Sequence, residues 1–319
     1  MGLIENPKTY TGRDLETIFF RPIVSGASAP DLGIRMLYNM PVPTTIQLWS
    51  PQSNILKSYT PGWSGGDSAE RKQKTIELSK VKAEVGFSAS DYFNQVYELI
   101  TGRADVNLDD LTGSELEQAE TEMFRTAITE SLRVMMWLGN KESRTYNLFD
   151  GFIKKAENYN CKSVTFSKDN ISAENITTLF DSMWAAADSR LKNLKAEGNL
   201  TLYVTTDIYD AYENYLDQFG NDHAYTDMIT GRRELSYHGI KIVDMHISHL
   251  IPVDSFTETS LCILTDNRNL AMAVNTSDYP GSEVRMWYNP DEMENRQRAT
   301  FMAGCEILDE ELVIRASIN

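Results

Sequence analysis

Two segments near the start of the chain alternate between apolar and polar residues with the two-residue period of a β-strand. They cover residues 44–56 and 74–87, and the segment 59–67 between them is rich in glycine. An isolated two-stranded ribbon is only marginally stable in water. Arms of about 13 residues, at roughly 3.3 Å per residue, would reach about 40 Å from their base. The pattern therefore predicts a long hairpin flap that lies across another copy of the chain.

The strongest helical pattern begins at Ser114. Ser114 and Glu117 have the spacing of a capping box, in which each side chain accepts from the other residue's backbone amide. Apolar residues then recur at helical spacing as far as Leu138, and Gly139 follows. The sequence predicts an amphipathic helix over residues 114–138. A shorter helix is predicted over residues 89–100.

From residue 148 onward, helical and strand patterns alternate. Predicted helices begin at Ser172, ending at Gly198, and at Thr206, ending before Gly220. Predicted strands cover residues 200–204, 234–237, 240–245, 261–265 and 270–274, and the last two are expected to pair as a hairpin across residues 266–269. Strands at 284–288, 298–305 and 312–316 close the chain, with the helix at 114–138 as their expected partner because nothing local covers them. The fold class is α+β.

The first 43 residues are interrupted by glycine and proline, which predicts an extended arm. A loop of this length is uncommon unless it is disordered or packs on a partner, and the apolar residues Ile18, Phe19 and Phe20 favour packing. A large apolar ring at an exposed tip, such as Trp63 in the hairpin, needs a docking pocket. These four residues are the predicted inter-subunit contacts, and the leading ninety or so residues are expected to be completed by sister copies.

Composition narrows the function further. The 319 residues carry a formal charge of −16, which repels phosphate and argues against sequence-specific DNA binding. No apolar run is long enough for a membrane span, and the start lacks the pattern of a secretory signal, so a soluble protein made in a cytosol is expected. Three widely spaced cysteines, Cys161, Cys262 and Cys305, predict buried free thiols rather than disulfides.

No spacing in the chain matches a catalytic, nucleotide-binding or metal-binding motif. His246 and His249 beside Asp244 are the nearest approach to a metal cluster, but side chains three apart on an extended segment face opposite sides. The acidic pairs Asp109/Asp110 and Glu310/Glu311 are interpreted as solvated faces. The sequence therefore predicts no catalytic, cofactor-binding or metal-binding residue and no enzymatic activity.

The order of these elements resembles the major capsid protein of tailed bacteriophages, the Hong Kong 97-type fold that encapsulin shells share. The stretches most like that family are residues 200–212, 237–243, 261–274 and 301–317. The resemblance implies an N-terminal arm at 1–43, an extended loop at 44–87 and a peripheral domain at 88–147 with its spine helix at 114–138. It further implies an axial domain at 148–279 and a return to the peripheral domain at 280–319.

The function implied by this resemblance is a structural one. Hexamers and pentamers of the chain would form the icosahedral head shell around packaged double-stranded DNA, in a virion assembled in the bacterial host cytoplasm. Expected partners are the portal protein, a separate scaffolding protein and possible decoration proteins, with no membrane partner. A few members of that family crosslink their subunits through an isopeptide bond between a lysine and an asparagine. No lysine in the loop of this chain aligns with the reacting position, so crosslinking is not predicted.

Three alternatives stay open from the sequence. An encapsulin-like compartment would hold enzyme cargo instead of a genome. An unrecognised acidic-site hydrolase or a transferase would need a pocket that gathers acidic side chains or His246. A filament or tail-tube protein would form tubes instead of spheres.

Overall fold

The computed structural model of the chain describes residues 8–11, 32–39, 44–49, 59, 61–62, 71–88, 115–219, 225–226, 233–247, 260–275, 283–289, 291–292 and 294–318. The helices within these ranges are α1 (Glu115–Leu138), α2 (Phe152–Asn158), α3 (Ile176–Ala186), α4 (Ser189–Leu194) and α5 (Thr206–Phe219). None of them has the length and apolar composition needed to span a bilayer. The strands within the same ranges are β1 (Lys8–Thr11), β2 (Arg35–Tyr38), β3 (Thr44–Trp49), β4 (Arg71–Ile76), β5 (Ser79–Ser88), β6 (Lys162–Phe166), β7 (Leu200–Val204), β8 (Tyr225–Thr226), β9 (Arg233–Glu234), β10 (Ser236–Tyr237), β11 (Ile240–Asp244), β12 (Cys262–Asp266), β13 (Leu270–Asn275), β14 (Glu283–Asn289), β15 (Glu294–Ile307) and β16 (Val313–Ile318).

Strand β15 organises the first sheet, whose order is β1-β14-β15-β13-β2, with β5 also paired to β15. Its 14 residues pair with β14 over their first half and with β13 over their second half. Strand β5 runs antiparallel along residues 294–303. One long strand thus joins segments that lie far apart in the sequence.

Helix α1 packs on this sheet. Phe124, Ile128 and Leu132 recur at helical spacing, and they share an apolar cluster with Val284 of β14 and Phe301 of β15. The predicted helix at 114–138 is confirmed from Glu115 onward, and so is its packing against β14 and β15. The predicted capping box involves Ser114, which lies outside the described residues, as does the helix predicted at 89–100.

The second sheet has the order β10-β11-β7-β12-β16-β6. Helices α3, α4 and α5 bury its apolar residues in a separate cluster, in which Phe180, Leu202 and Leu264 are almost fully buried. The tight turn between β10 and β11 places His238 at φ 50° and Gly239 at φ 80°, as a two-residue hairpin loop requires. This confirms the strand predicted at 240–245, as β11, whereas the strand predicted at 234–237 is interrupted at Leu235, between β9 and β10.

The helix predicted from Ser172 to Gly198 is two helices instead of one. The chain leaves helical geometry at Ala187, whose ψ is 135°, and restarts at Ser189. The break is not visible in the apolar spacing because both helices turn the same face towards the sheet. Gly198 does end the segment in left-handed geometry, at φ 73°, as predicted.

Helix α5 begins at Thr206 as predicted, and Thr206 also interacts with strand β11. Its hydroxyl lies 3.0 Å from the Asp244 carboxylate at the end of β11. The carbonyl of Thr205 accepts the first amides of the helix, from Ile208 and Tyr209. The start of α5 is thereby tied to the neighbouring parallel strand.

The predicted hairpin of residues 261–265 with 270–274 is wrong. Strand β12 pairs with β7 and β16 in the second sheet, whereas β13 pairs with β15 and β2 in the first. Asp266 accepts from the Arg268 backbone amide and from its guanidinium group, which fixes a short turn that directs the chain away from β12. Asn269 then bonds in both directions to Asp309, in the return crossing between β15 and β16. These bonds hold together the two connections between the sheets, from β12 to β13 and from β15 to β16.

Strand β16 also departs from the expectation. Residues 280–319 are predicted to lie with the long helix, but β16 pairs with β12 and β6 in the second sheet. Ile314, Ala316 and Ile318 belong to the apolar cluster of that sheet. The packing predicted for residues 312–316 is therefore wrong, because the alternation of β16 identifies its apolar face but not the sheet in which that face is buried.

Parts of the leading ninety residues complete the chain's own body, contrary to the expectation that only sister copies complete them. Strand β1 pairs with β14, β2 runs parallel to β13, and β5 lies along β15. Leu32 and Ile34 are buried in the main apolar cluster. The predicted extended arm therefore includes two strands of the first sheet.

The flap is shorter at its base than predicted. Strands β3 and β4 pair antiparallel from Thr44 with Ile76 to Trp49 with Arg71. Residues 79–87, predicted as part of the second arm, belong to β5 in the body, because Val81, Ala83 and Val85 pack against the main cluster. The pair β3–β4 forms a two-stranded sheet of its own, which we call the hairpin.

Candidate functional site

The hairpin carries the predicted contact residue Trp63 near its tip, and Trp63 lies outside the described residues. So do Ile18, Phe19 and Phe20 of the arm. Close to Trp63, the described tip residues Tyr59, Pro61 and Gly62 are exposed, and Tyr59 is 92% exposed. The role of the four predicted contact residues stays a prediction.

The base of the hairpin is held by a small apolar cluster. Ile76 is 1% exposed and lies with Ala271, Ala273 and Leu308 of the body, with Ile46 of β3 packed against them. A fully buried isoleucine contributes about 2–3 kcal/mol of transfer free energy. The hairpin is therefore anchored to the first sheet at its root.

A buried carboxylate, Glu306, lies next to this root. The side chain of Glu306 is 3% exposed and accepts from the Lys155 ammonium at 2.6 Å. Its other oxygen accepts from the Tyr159 hydroxyl at 2.7 Å and from the Ile307 amide at 3.2 Å. A buried carboxylate is tolerated only with such partners. Here helix α2, the residue after it and the backbone of β15 supply them.

Tyr159 also contacts the hairpin, through Lys74 of β4. The ammonium of Lys74 in β4 lies 3.6 Å from the centre of the Tyr159 ring and 3.4 Å from the Glu310 carboxylate. Burial and the hydrogen bond to Glu306 raise the pKa of Tyr159 above its usual range, so its hydroxyl stays a donor. A phenol that donates to a carboxylate becomes more electron-rich, which strengthens its attraction for a cation.

A cavity of about 240 Å³ lies beside the hairpin root. Thr75 of β4, Glu77 and Ser79 at the start of β5 line one side of it, and Lys155 and Glu306 line the other. Its walls carry charges of both signs, so it offers neither an apolar ligand pocket nor a one-signed field for a charged substrate. The arrangement is suited to positioning the hairpin.

The residues weighed as chemical candidates are described only in part. His246 is 68% exposed at its side chain and lies 3.0 Å from Asp244, while His249 falls in a part of the chain that the structure does not describe. Within the described ranges, no three histidine, cysteine or acidic side chains gather as a metal site. Glu310 and Glu311 pair with Lys74 and Arg190, and Asp109/Asp110 lie outside the described residues.

All three cysteines are free and buried, as predicted. Burial raises the pKa of Cys161 to about 11 and that of Cys305 to about 12, and it also raises that of Cys262. Because the thiolate is the reactive form, the native thiols should be inert at pH 8.

We expect fewer than one thiol per native chain to react with Ellman's reagent within an hour at pH 8, and all three to react in guanidinium chloride. The variant Gln73→Cys, at an exposed position of β4, is the matched control and should react within minutes. Rapid reaction of a native cysteine would contradict the buried placement.

Sequence reasoning missed Lys74, Tyr159 and Glu306. They are separated by 85 and 147 positions, so no local spacing connects them. One signal was available, since Glu306 is the single charged residue in the otherwise apolar run from Phe301 to Leu308. An isolated carboxylate in a buried strand needs a partner from elsewhere in the fold.

No family model matches the chain, and no curated protein matches it in sequence. Solved structures do match. A chain of the satellite phage P4 procapsid, which includes the size determination (Sid) protein, is 10% identical with a TM-score of 0.56, over 97% of this chain and 93% of that one. A chain of Gordonia phage Cozz is 12% identical with a TM-score of 0.55, over 92% and 88%. One from the capsid of a native GTA particle is 10% identical with a TM-score of 0.54, over 91% and 89%.

The chain has the Hong Kong 97-type capsid fold. The likeness extends over more than nine-tenths of the chain in each of these comparisons, so it includes both sheets. The predicted fold is thereby confirmed, although the order of strands within it differs from the sequence-based expectation. The low identities explain why the likeness is found in structure and not in sequence.

Proposed function

We propose that the chain is the structural major capsid protein of a tailed bacteriophage, assembling as hexamers and pentamers into the icosahedral head shell. The observation that carries the proposal is the capsid fold across 97% of the chain. The hairpin supports it, because its strands pair with each other in a sheet of their own and its root is buried in the body. An element of this kind gains its stability from a neighbour.

The chemistry of the chain agrees with a shell subunit. A shell needs extended shared surface more than a pocket, and weak contacts multiply once copies are held in a ring. A charge of −16 lets such a wall enclose double-stranded DNA without binding it tightly. In this proposal the protein is not an enzyme, it belongs to the virion after assembly in the host cytoplasm, and a portal protein and a separate scaffolding protein are its further partners.

Within this proposal the extended loop is the hairpin together with its connection, residues 44–76. Helix α1 and the first sheet form the peripheral domain, and the second sheet with α3, α4 and α5 forms the axial domain. Strand β13 then belongs to the peripheral domain and β16 to the axial domain, which changes the boundaries implied by the resemblance. The arm residues Ile18, Phe19 and Phe20, with Trp63, remain the proposed contacts to neighbouring copies.

Negative-stain imaging of the purified protein tests the proposal. We expect closed spherical particles, or rings of five and six subunits that close once scaffolding protein is present. Particles from the native source should contain double-stranded DNA and one portal vertex, whereas enzyme cargo without a genome would indicate the encapsulin alternative. A stable lone monomer under all assembly conditions, or tubes, would contradict the proposal.

A further inference from the structure

The hairpin is joined to the body in a way that leaves its direction adjustable. Between the end of β4 and the start of β5, Glu77 and Leu78 lie outside strand geometry. The backbone of Glu77 passes so close to Gly304 that a Cβ there would collide with it. This two-residue link and the cluster around Ile76 fix the position of the root, but a link of two residues does not by itself fix the angle of two strands.

The angle has a large effect further along the hairpin. Each strand has six described residues, which at roughly 3.3 Å per residue reach about 20 Å from the root. A tilt of about 10° therefore moves the far end of these strands by about 3.5 Å. A displacement of this size exceeds the tolerance of a hydrogen bond, so contacts with a neighbour depend on the angle.

The interactions of Lys74 oppose such a tilt. Lys74 lies two residues before the buried Ile76, and it contacts both the Tyr159 ring and Glu310. Tyr159 is itself held by Glu306, which Lys155 neutralises. These contacts connect β4 to a buried charge in β15. The cavity of about 240 Å³ beside them leaves room for the hairpin to tilt about its root when they are broken.

We propose that Lys74, Tyr159 and Glu306 form a latch that fixes the direction of the hairpin, and thereby decides whether subunits meet at the angle of a closed shell. The part about closure rests on the proposed function. Glu306 and Lys155 form the fixed side of the latch, and the Lys74 ammonium on the Tyr159 ring is the side that can release. Chemically, the latch is a cation on an aromatic ring that a buried carboxylate polarises.

Distances between spin labels test the latch without requiring assembly. Labels at Gln73→Cys on the hairpin and Glu130→Cys on α1, both exposed positions, should give one narrow distance distribution in dissociated subunits. The substitutions Lys74→Gln and Tyr159→Ala should each widen it about twofold, and Tyr159→Phe should widen it less because the ring remains. A second pair, Glu130→Cys with Glu142→Cys, lies within the body and should not change.

The matched control is Lys82→Gln. Lys82 loses the same charge in the adjacent strand β5, where its partner Glu84 is exposed, and neither the distances nor the particles should change. We expect Lys74→Gln to reduce the yield of closed particles at least fivefold. Unchanged distance distributions would overturn the latch, and widened distributions with normal particles would overturn its control of closure. If the unmodified protein forms neither closed particles nor rings that close with scaffolding protein, the proposed function fails while the distances still decide on the latch.

Discussion

Subunits whose hairpin is cut back to its described strands are expected to fold normally and to form no closed particles. The register places Trp49 directly opposite Arg71, so residues 50–70 can be replaced by Asn-Gly, which favours a two-residue hairpin turn. The remaining strands keep the anchor at Ile76 and the interactions of Lys74. What is lost is the part of the hairpin that would reach a neighbour, including Tyr59 and Trp63.

Two measurements distinguish a loss of assembly from a loss of folding. The melting temperature of dissociated subunits should stay within about 2 °C of the unmodified protein, because surface changes away from packed features usually alter stability by less than about 0.5 kcal/mol. Imaging should show single subunits or open fragments, with the yield of closed particles reduced at least a hundredfold. A control that replaces only Ser64–Gly65 by Gly-Ser should assemble. Normal particles from the shortened hairpin would remove the role assigned to it.

The elements that the sequence predicts well are those whose pattern is local. Helix α1 and helix α5 each carry an apolar face over several turns and end at a glycine. The turn at His238 and Gly239 needs two residues with positive φ, which a glycine beside alternating residues indicates. In these cases the residues that determine the element lie within it, so a single sequence is enough.

The errors share the opposite property. Strands β12 and β13 are adjacent in sequence and fully buried, and adjacent strands usually pair, which favours a hairpin. The actual arrangement depends on Asn269 bonding to Asp309, 40 positions away. Likewise, Lys74 meets Tyr159 only because β5 pairs with β15 and turns the hairpin root towards α2. Long-range pairing of this kind leaves little trace in one sequence.

The close approach of Gly139 and Gly151 is the point where a single methyl group should matter most to folding. The loop between them returns to the end of α1, where the Gly151 amide donates to the Gly139 carbonyl at 2.7 Å. A Cβ on Gly151 would lie 2.7 Å from the Trp137 carbonyl oxygen and 2.8 Å from the Gly139 nitrogen. Both are backbone atoms of the end of α1, and Trp137 is fully buried, so neither can move without disturbing the core.

We therefore expect Gly151→Ala to destabilise the subunit by about 3 kcal/mol or more, which for a chain of this length lowers the melting temperature by about 4–5 °C or more. The control is Gly198→Ala. Gly198 has φ 73° but nothing within 4 Å of its missing Cβ, so it should lose only about 1 kcal/mol, the cost of left-handed geometry. Thermal unfolding of dissociated subunits separates the two effects, since one comes from collision and the other from backbone preference. Equal losses in the two variants would mean that the loop and the end of α1 are not packed as closely as the hydrogen bond between the two glycines implies.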